Sequence, residues 1–252
     1  CALPISNLDF NFLRAKGEFI AICEGDDYWV DHRKLMKQVQ FLRENQDFIA
    51  AYHTVVVVDE HHREIQKRFQ TFKWPPGEYT LKDVEKFILP SQTSSLLFRN
   101  IWRDLDAKVL ERYRQCKTTG DRKLALLLAM LGKVYCLPDA MSVYRLILNT
   151  GSSWSAQNAY RNRTYDLYRY CIELAHFAKD AYGVNINLKK VRYKQFFAAA
   201  LGYILNPNDD NKKAVQNILG LNYDNKASLM AYAAANLMIY PFKRLYGKMT
   251  ER

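Results

Sequence analysis

The chain has 252 residues, 49% hydrophobic and 13% aromatic, which is enough apolar material for a sizeable core and too much for a disordered segment. Its net charge of +11, from 37 Lys and Arg against 26 Asp and Glu, favours anionic partners without choosing among a nucleotide, a phosphorylated lipid, an acidic membrane face and nucleic acid. Cys1, Cys23, Cys116, Cys136 and Cys171 form no C-x-x-C pair and read as reduced core thiols of a reducing compartment rather than a disulfide frame or zinc site. No stretch reaches the ~20 apolar residues of a membrane span. The charged start, CALPISNLDFNFLRAKGEF, does not read as a signal peptide, and without an initiator Met the chain is expected to begin inside a longer protein.

In chain order, EFIAIC (18–23) is a short apolar run that predicts a buried inner strand. DHRKLMKQVQFLREN (31–45) predicts a helix with Leu35, Met36, Val39 and Leu42 at core spacing and Asp31 as N-cap. FIAAYHTVVVVD (48–59) is β-branched and reads as a second strand; residues 60–77 read as a long loop or hairpin. TLKDVEKFI predicts a short helix capped by Thr80. TSSLLFR (93–99) reads as a strand, RDLDAKVLERYRQ as a helix, and TTGDRKLALLLAML as a turn feeding a buried helix with Asp121 near its start. KVYCL and AMSVYR read as two short strands separated by Pro138 and Asp139. Alternation of strands with helices to about residue 145 predicts an α/β fold with a mainly parallel sheet.

After NTGSSWS the periodicity is helical only, and three or four packed helices are expected. The expected organisation is therefore residues 1–154 as one domain and 155–252 as a helical C-terminal region.

The chemistry concentrates in GEFIAICEGDDYWVD (17–31), where Glu24, Asp26 and Asp27 crowd behind the first apolar run of a basic chain. Open α/β sheets bind ligands outside the carboxyl ends of their strands, and carboxylates there suit Mg²⁺ or Mn²⁺, which share their shell with water and substrate phosphates. An acidic turn leading into a helix is the plain alternative for GDD alone.

The longer segment AKGEFIAICEGDDYWVDHRKLMKQVQFLRENQDF resembles the region around the D-x-D motif of family 2 glycosyltransferases, inverting enzymes of GT-A fold, particularly bacterial members that build surface polysaccharides. The turn with Gly, the strand, the acidic triplet with its aromatic pair, and the KL..Q..FL helix occur in the family's order. More loosely, TSSLLFR is similar to the strand beside the acceptor pocket, and TGDRKLALLLAMLGKVYCLPDAMSVYR to the segment bearing the catalytic base; the likeness covers about residues 11–154. The resemblance implies that Asp26 and Asp27 hold the metal and diphosphate, that Glu24 fills the first acidic position, and that Asp121 is the acceptor's general base. It further implies a nucleotide-sugar donor, a saccharide or lipid-linked saccharide acceptor, and a cytoplasmic protein, with peripheral contact at the inner face of the plasma membrane left open.

Three departures qualify the likeness. Glu24 stands where many relatives carry Asp. Leu146, Ile147 and Leu148 stand where the family often has a His. Relatives carry roughly one more βαβαβ half upstream for the nucleotide base and ribose, so this chain reads as the later part of a catalytic domain and is expected to be inactive alone.

Other residues have two readings each. Tyr28 and Trp29 shape a sugar pocket or anchor the loop; His61 and His62 read as a solvated loop, His53 as a satisfied core residue. Arg145 and Trp154 flank NTGSS, similar to the family's mobile loop, and Arg145 suits a diphosphate or a salt bridge. The segment LMAYAAANLMIYPFKRLYGKMTER reads as a packed helix with a basic end, or as a helix on an anionic membrane surface. A non-catalytic basic module binding nucleic acid or membrane is the competing function. Nucleic acid is disfavoured because no such motif is present and the cations are dispersed.

Overall fold

The computed structural model describes residues 7–65, 76–147, 156 and 161–250. The chain divides into two units, Cys1–Ala159 with Glu173–Ile186, and Tyr160–Ile172 with Asn187–Arg252. In the first unit, α1 (Asn7–Arg14), β1 (Phe19–Ala21), β2 (Tyr28–Trp29), α2 (Lys34–Glu44), β3 (Phe48–Val58), β4 (Gly77–Tyr79), α3 (Leu81–Glu85), β5 (Leu97–Arg99), α4 (Ala107–Gln115), α5 (Gly120–Leu131) and β6 (Lys133–Arg145) follow in order. Next, α6 (Thr164–Tyr182) passes from the second unit into the first.

The sheet is mixed rather than mainly parallel. Its order is β1-β5-β3-β6-β2, with β4 also on β6. Among the described strands only β3 and β6 run parallel; the other pairings are antiparallel. Consequently β1 is a three-residue edge strand, not an inner one. KVYCL and AMSVYR form one long strand, since Pro138 and Asp139 bulge out between the pairs His53↔Leu137 and Thr54↔Ala140. The bulge divides the far side of β6, whose first half pairs with β4 and whose second half pairs with β2.

Helix α5 is buried on nearly every side from Leu124 to Leu128, as an all-apolar helix in a core must be. It stops at Gly132, where a Cβ would come within 3.1 Å of the Ile49 side chain. Thr93–Ser95 forms a tight 3₁₀ turn, leaving Leu97–Arg99 as the strand. Thr80 heads α3 as expected, its backbone N–H and hydroxyl both donating to Asp83 Oδ2.

Helix α2 departs from its expected face. Its buried residues are Lys34, Gln38 and Leu42, while Leu35 and Met36 are exposed. Its N-cap is Arg33, and Asp31 instead accepts from Arg33 N and pairs with Lys37. Gln38 Nε2 fixes this rotation by donating to the Ala51 and Ser95 carbonyls at 2.6 and 2.8 Å, inside the sheet.

The second unit continues with α7 (Lys189–Leu205), α8 (Asp209–Gly220) and α9 (Lys226–Thr250). Tyr168, Phe196, Ala199, Ile218, Leu229 and Ala233 make its core. Among the described residues, no helix is long and apolar enough to cross a membrane.

Candidate active site

The acidic triplet occupies the loop between β1 and β2, folded by a bond from Asp27 N to Glu24 O at 3.1 Å. Two pairings, Tyr28↔Val143 and Trp29↔Ser142, tie the loop to β6. Carried back two residues, that register sets Arg145 opposite Asp26. Arg145 N accordingly donates to Asp27 Oδ1 at 3.1 Å, and its Nε donates to the Asp26 carbonyl. Thus Arg145, expected at a diphosphate or a salt bridge, is first a clamp on the acidic loop.

The aromatic pair divides its roles. Trp29 Nε1 donates to Ser94 O at 2.9 Å, and Lys34 Nζ sits 4.2 Å from the ring centroid, so Trp29 anchors the loop on α2 and the turn before β5. Tyr28 is exposed, its hydroxyl 3.3 Å from His62 Nδ1.

Charge is poorly compensated here. Asp27 is 8% exposed, and its Oδ2 makes no well-formed hydrogen bond, although the Ser94 hydroxyl lies near enough to favour the charged form. Burial pushes its carboxyl up to about 6, aided by Asp26 and opposed by Ser94 and by the backbone and charge of Arg145. Glu24 keeps solvent access, yet sits among enough protein that desolvation, with the charges of Asp27, Asp26 and Asp121, pushes it up to about 7. Thr93 works in the opposite direction on Glu24 by hydrogen bonding to its carboxylate.

Asp121 thus lies within electrostatic reach of Glu24, although the two are far apart in sequence. It stands in the first turn of α5, where Thr119 is the N-cap, and its Oδ1 accepts from Arg122 N at 2.8 Å. Asp121 and Thr93 line a small pocket of about 10 Å³, together with Tyr52, Leu89, Ser91, Leu96 and Leu124. Glu24, Asp26, Asp27, Asp121 and Arg145 therefore belong to one neighbourhood. Trp154, Leu148 and the NTGSS run lie outside the described residues.

Sequence reasoning did not single out Thr93, Ser94, Lys34 or Gln38. Ser94 hangs on the turn that Trp29 grips. Lys34, 1% exposed, has its ammonium pushed down to about 8 by burial and donates to Gln38 Oε1 at 2.9 Å. The KL..Q spacing was the available signal, because residues four apart share a helix face. His53 is only half satisfied: Nδ1 bonds Thr54 O at 2.7 Å, Nε2 has no partner, and burial keeps the ring neutral down to about 4.

No group of three or more His, Cys, Asp or Glu side chains among the described residues is arranged to hold a metal ion. The donors at hand for a divalent ion are Asp27 Oδ2 and the neighbouring Asp26. Their excess negative charge fits a cation with a shell otherwise of water and phosphate oxygens.

No family model matches the chain. It is 32% identical over 134 residues to the uncharacterized protein Rv1520 of Mycobacterium tuberculosis and to the uncharacterized protein Mb1547 of Mycobacterium bovis, a match covering 52% of this chain and 35% of each relative. The matched part thus spans about a third of the length of these curated relatives.

Proposed function

We propose that this chain belongs to an inverting glycosyltransferase of GT-A type, moving a sugar from a nucleotide-sugar donor to a hydroxyl of a saccharide or lipid-linked saccharide during surface-polysaccharide synthesis. The observation that supports this reading best is the meeting of Asp121 with the acidic loop. Two segments distant in sequence supply a helix-terminal carboxylate beside a pocket and an undercompensated carboxylate pair next to it.

In this reading Asp26 and Asp27 would hold a Mg²⁺ or Mn²⁺ ion, which would supply Lewis-acid neutralisation of the departing nucleoside diphosphate. Arg145 keeps both residues in place and adds positive charge beside the diphosphate. Asp121 takes the proton of the acceptor hydroxyl as its oxygen attacks the anomeric carbon. The bond from that carbon to the diphosphate oxygen breaks, the electron pair leaves with the diphosphate, and the configuration inverts without a covalent enzyme intermediate.

The test is Asp121→Asn in the complete protein with its acceptor. Turnover is expected to fall by roughly 10²- to 10⁴-fold with donor binding little changed. Near-normal turnover would leave Asp121 a helix-terminal residue only. The 252-residue chain alone is expected to bind nucleotide sugars poorly in calorimetric titration with Mn²⁺; tight, base-selective binding would place the nucleotide site elsewhere.

A further inference from the structure

The outward side of α9 is apolar from Met230 to Ile239. Leu229 and Ala233 are buried inward, Tyr232 meets Tyr193 edge to face at 5.4 Å, and Tyr240 meets Phe197 at 6.4 Å. The opposite arc carries Met230, Ala231, Ala234, Ala235, Met238 and Ile239, all exposed, with Met238 at 75%. Residues 227–242 contain no charged side chain, whereas the helix as a whole contains Lys226, Lys243, Arg244 and Lys248 and no Asp or Glu. Contacts 193 to 232 and 197 to 240 advance together, so α7 runs parallel to α9. Two turns past Phe197, α7 ends in the exposed Tyr203, Ile204 and Leu205.

We propose that this face of the second unit docks on an anionic lipid bilayer, with α9 lying along the interface. Scattered exposed apolar residues need no partner, but a continuous apolar arc ending in a basic segment does. The occupant must be both apolar and anionic, which is the combination offered by acyl chains beneath acidic headgroups. A second copy is disfavoured because two such helices would bring like charges together. A specific protein partner would call for aromatic or Arg anchors, and this arc is built of Ala, Met and Ile. The inference is independent of the transferase reading.

The test is co-sedimentation of the 252-residue chain with vesicles of phosphatidylcholine, alone or mixed with phosphatidylglycerol, at low and high salt. The chain is expected to bind the mixed vesicles at least about tenfold more tightly, and more weakly as salt rises. Met230→Glu with Met238→Glu should remove binding while helical circular dichroism is kept, because both side chains point away from the core. Lys243→Gln with Arg244→Gln and Lys248→Gln should abolish the preference for phosphatidylglycerol, and Asp27→Asn should bind like wild type. Equal binding to both vesicle types, or retained binding by the Met230→Glu, Met238→Glu variant, would overturn the proposal. So would self-association in sedimentation that those two substitutions abolish without any vesicle binding.

Discussion

Two carboxylates, one in each unit, are set in protein under opposite terms. In the second unit Asp224 is fully engaged: Oδ2 accepts from Tyr168 Oη at 2.6 Å and Arg192 Nε at 2.7 Å, and Oδ1 accepts from Arg192 Nη2 at 2.9 Å. Burial works to raise its carboxyl, but the bonds from Arg192 and Tyr168 and the guanidinium charge outweigh this and hold it below the usual range. In the first unit Asp27 has one backbone donor, the nearby Ser94 hydroxyl, an oxygen without a well-formed bond and acidic neighbours, and burial raises its carboxyl. The contrast teaches how to separate a structural carboxylate from a candidate ligand. The first has its counter-charge built in, while the second is left waiting for one.

The contrast is most easily broken by deletion. Asp224→Ala leaves the Arg192 guanidinium buried and unpaired, and is expected to destabilise the second unit by about 3–5 kcal/mol in urea unfolding followed by far-ultraviolet circular dichroism. Asp27→Asn removes an unfavourable buried charge and should leave stability equal or higher. Its cost should appear in Mn²⁺ titration: losing an outer partner of a metal ligand costs about 10- to 100-fold in affinity, and losing a ligand's charge at least as much. Equal losses of stability in the two variants would erase the distinction.

A smaller effect is the response to pH without divalent ions. Glu24 moves from 4.5 to about 7 and Asp27 from 3.8 to about 6 on folding, so the native first unit binds more protons than the unfolded chain between about pH 4 and pH 7. Its stability should therefore rise as pH falls from 7.5 to about 5, by about 2–4 °C in unfolding midpoint. His53, which stays neutral in the fold to about 4, works against this and trims the gain. The Asp224 contribution is constant in that window and is lost only as pH drops through its depressed value, below 3.8. Among the described residues both tryptophans, Trp29 and Trp102, belong to the first unit, so their emission reports on that unit. A midpoint in emission that falls on mild acidification would contradict the electrostatic account. The smallest expected effect is Lys34→Met, about 1 kcal/mol in the same emission-detected unfolding, because it leaves Gln38 Oε1 unpaired and lifts the cation from Trp29. An unchanged midpoint would mean that the buried amine contributes nothing to holding the loop.

The sequence by itself determined what local patterns can carry: the β-branched run of β3, the all-apolar helix after Asp121, a helical C-terminal region, and a crowd of carboxylates after the first strand. Those follow from side-chain period and turn chemistry, which act over a few residues. Only the tertiary structure decided the rest. Hydrogen bonds from Gln38 to the sheet turned α2 so that Lys34 is buried and Met36 exposed, reversing what hydrophobicity alone suggests. Antiparallel partners on β5 and β6 made the sheet mixed, because strand direction is set by which edges meet and no strand's own residues encode it. The β2–β6 register placed Arg145 on Asp26 and Asp27, and the entry of α5 brought Asp121 toward Glu24. Electrostatic neighbourhood depends on distance through space, and a linear pattern contains that only after the chain has folded.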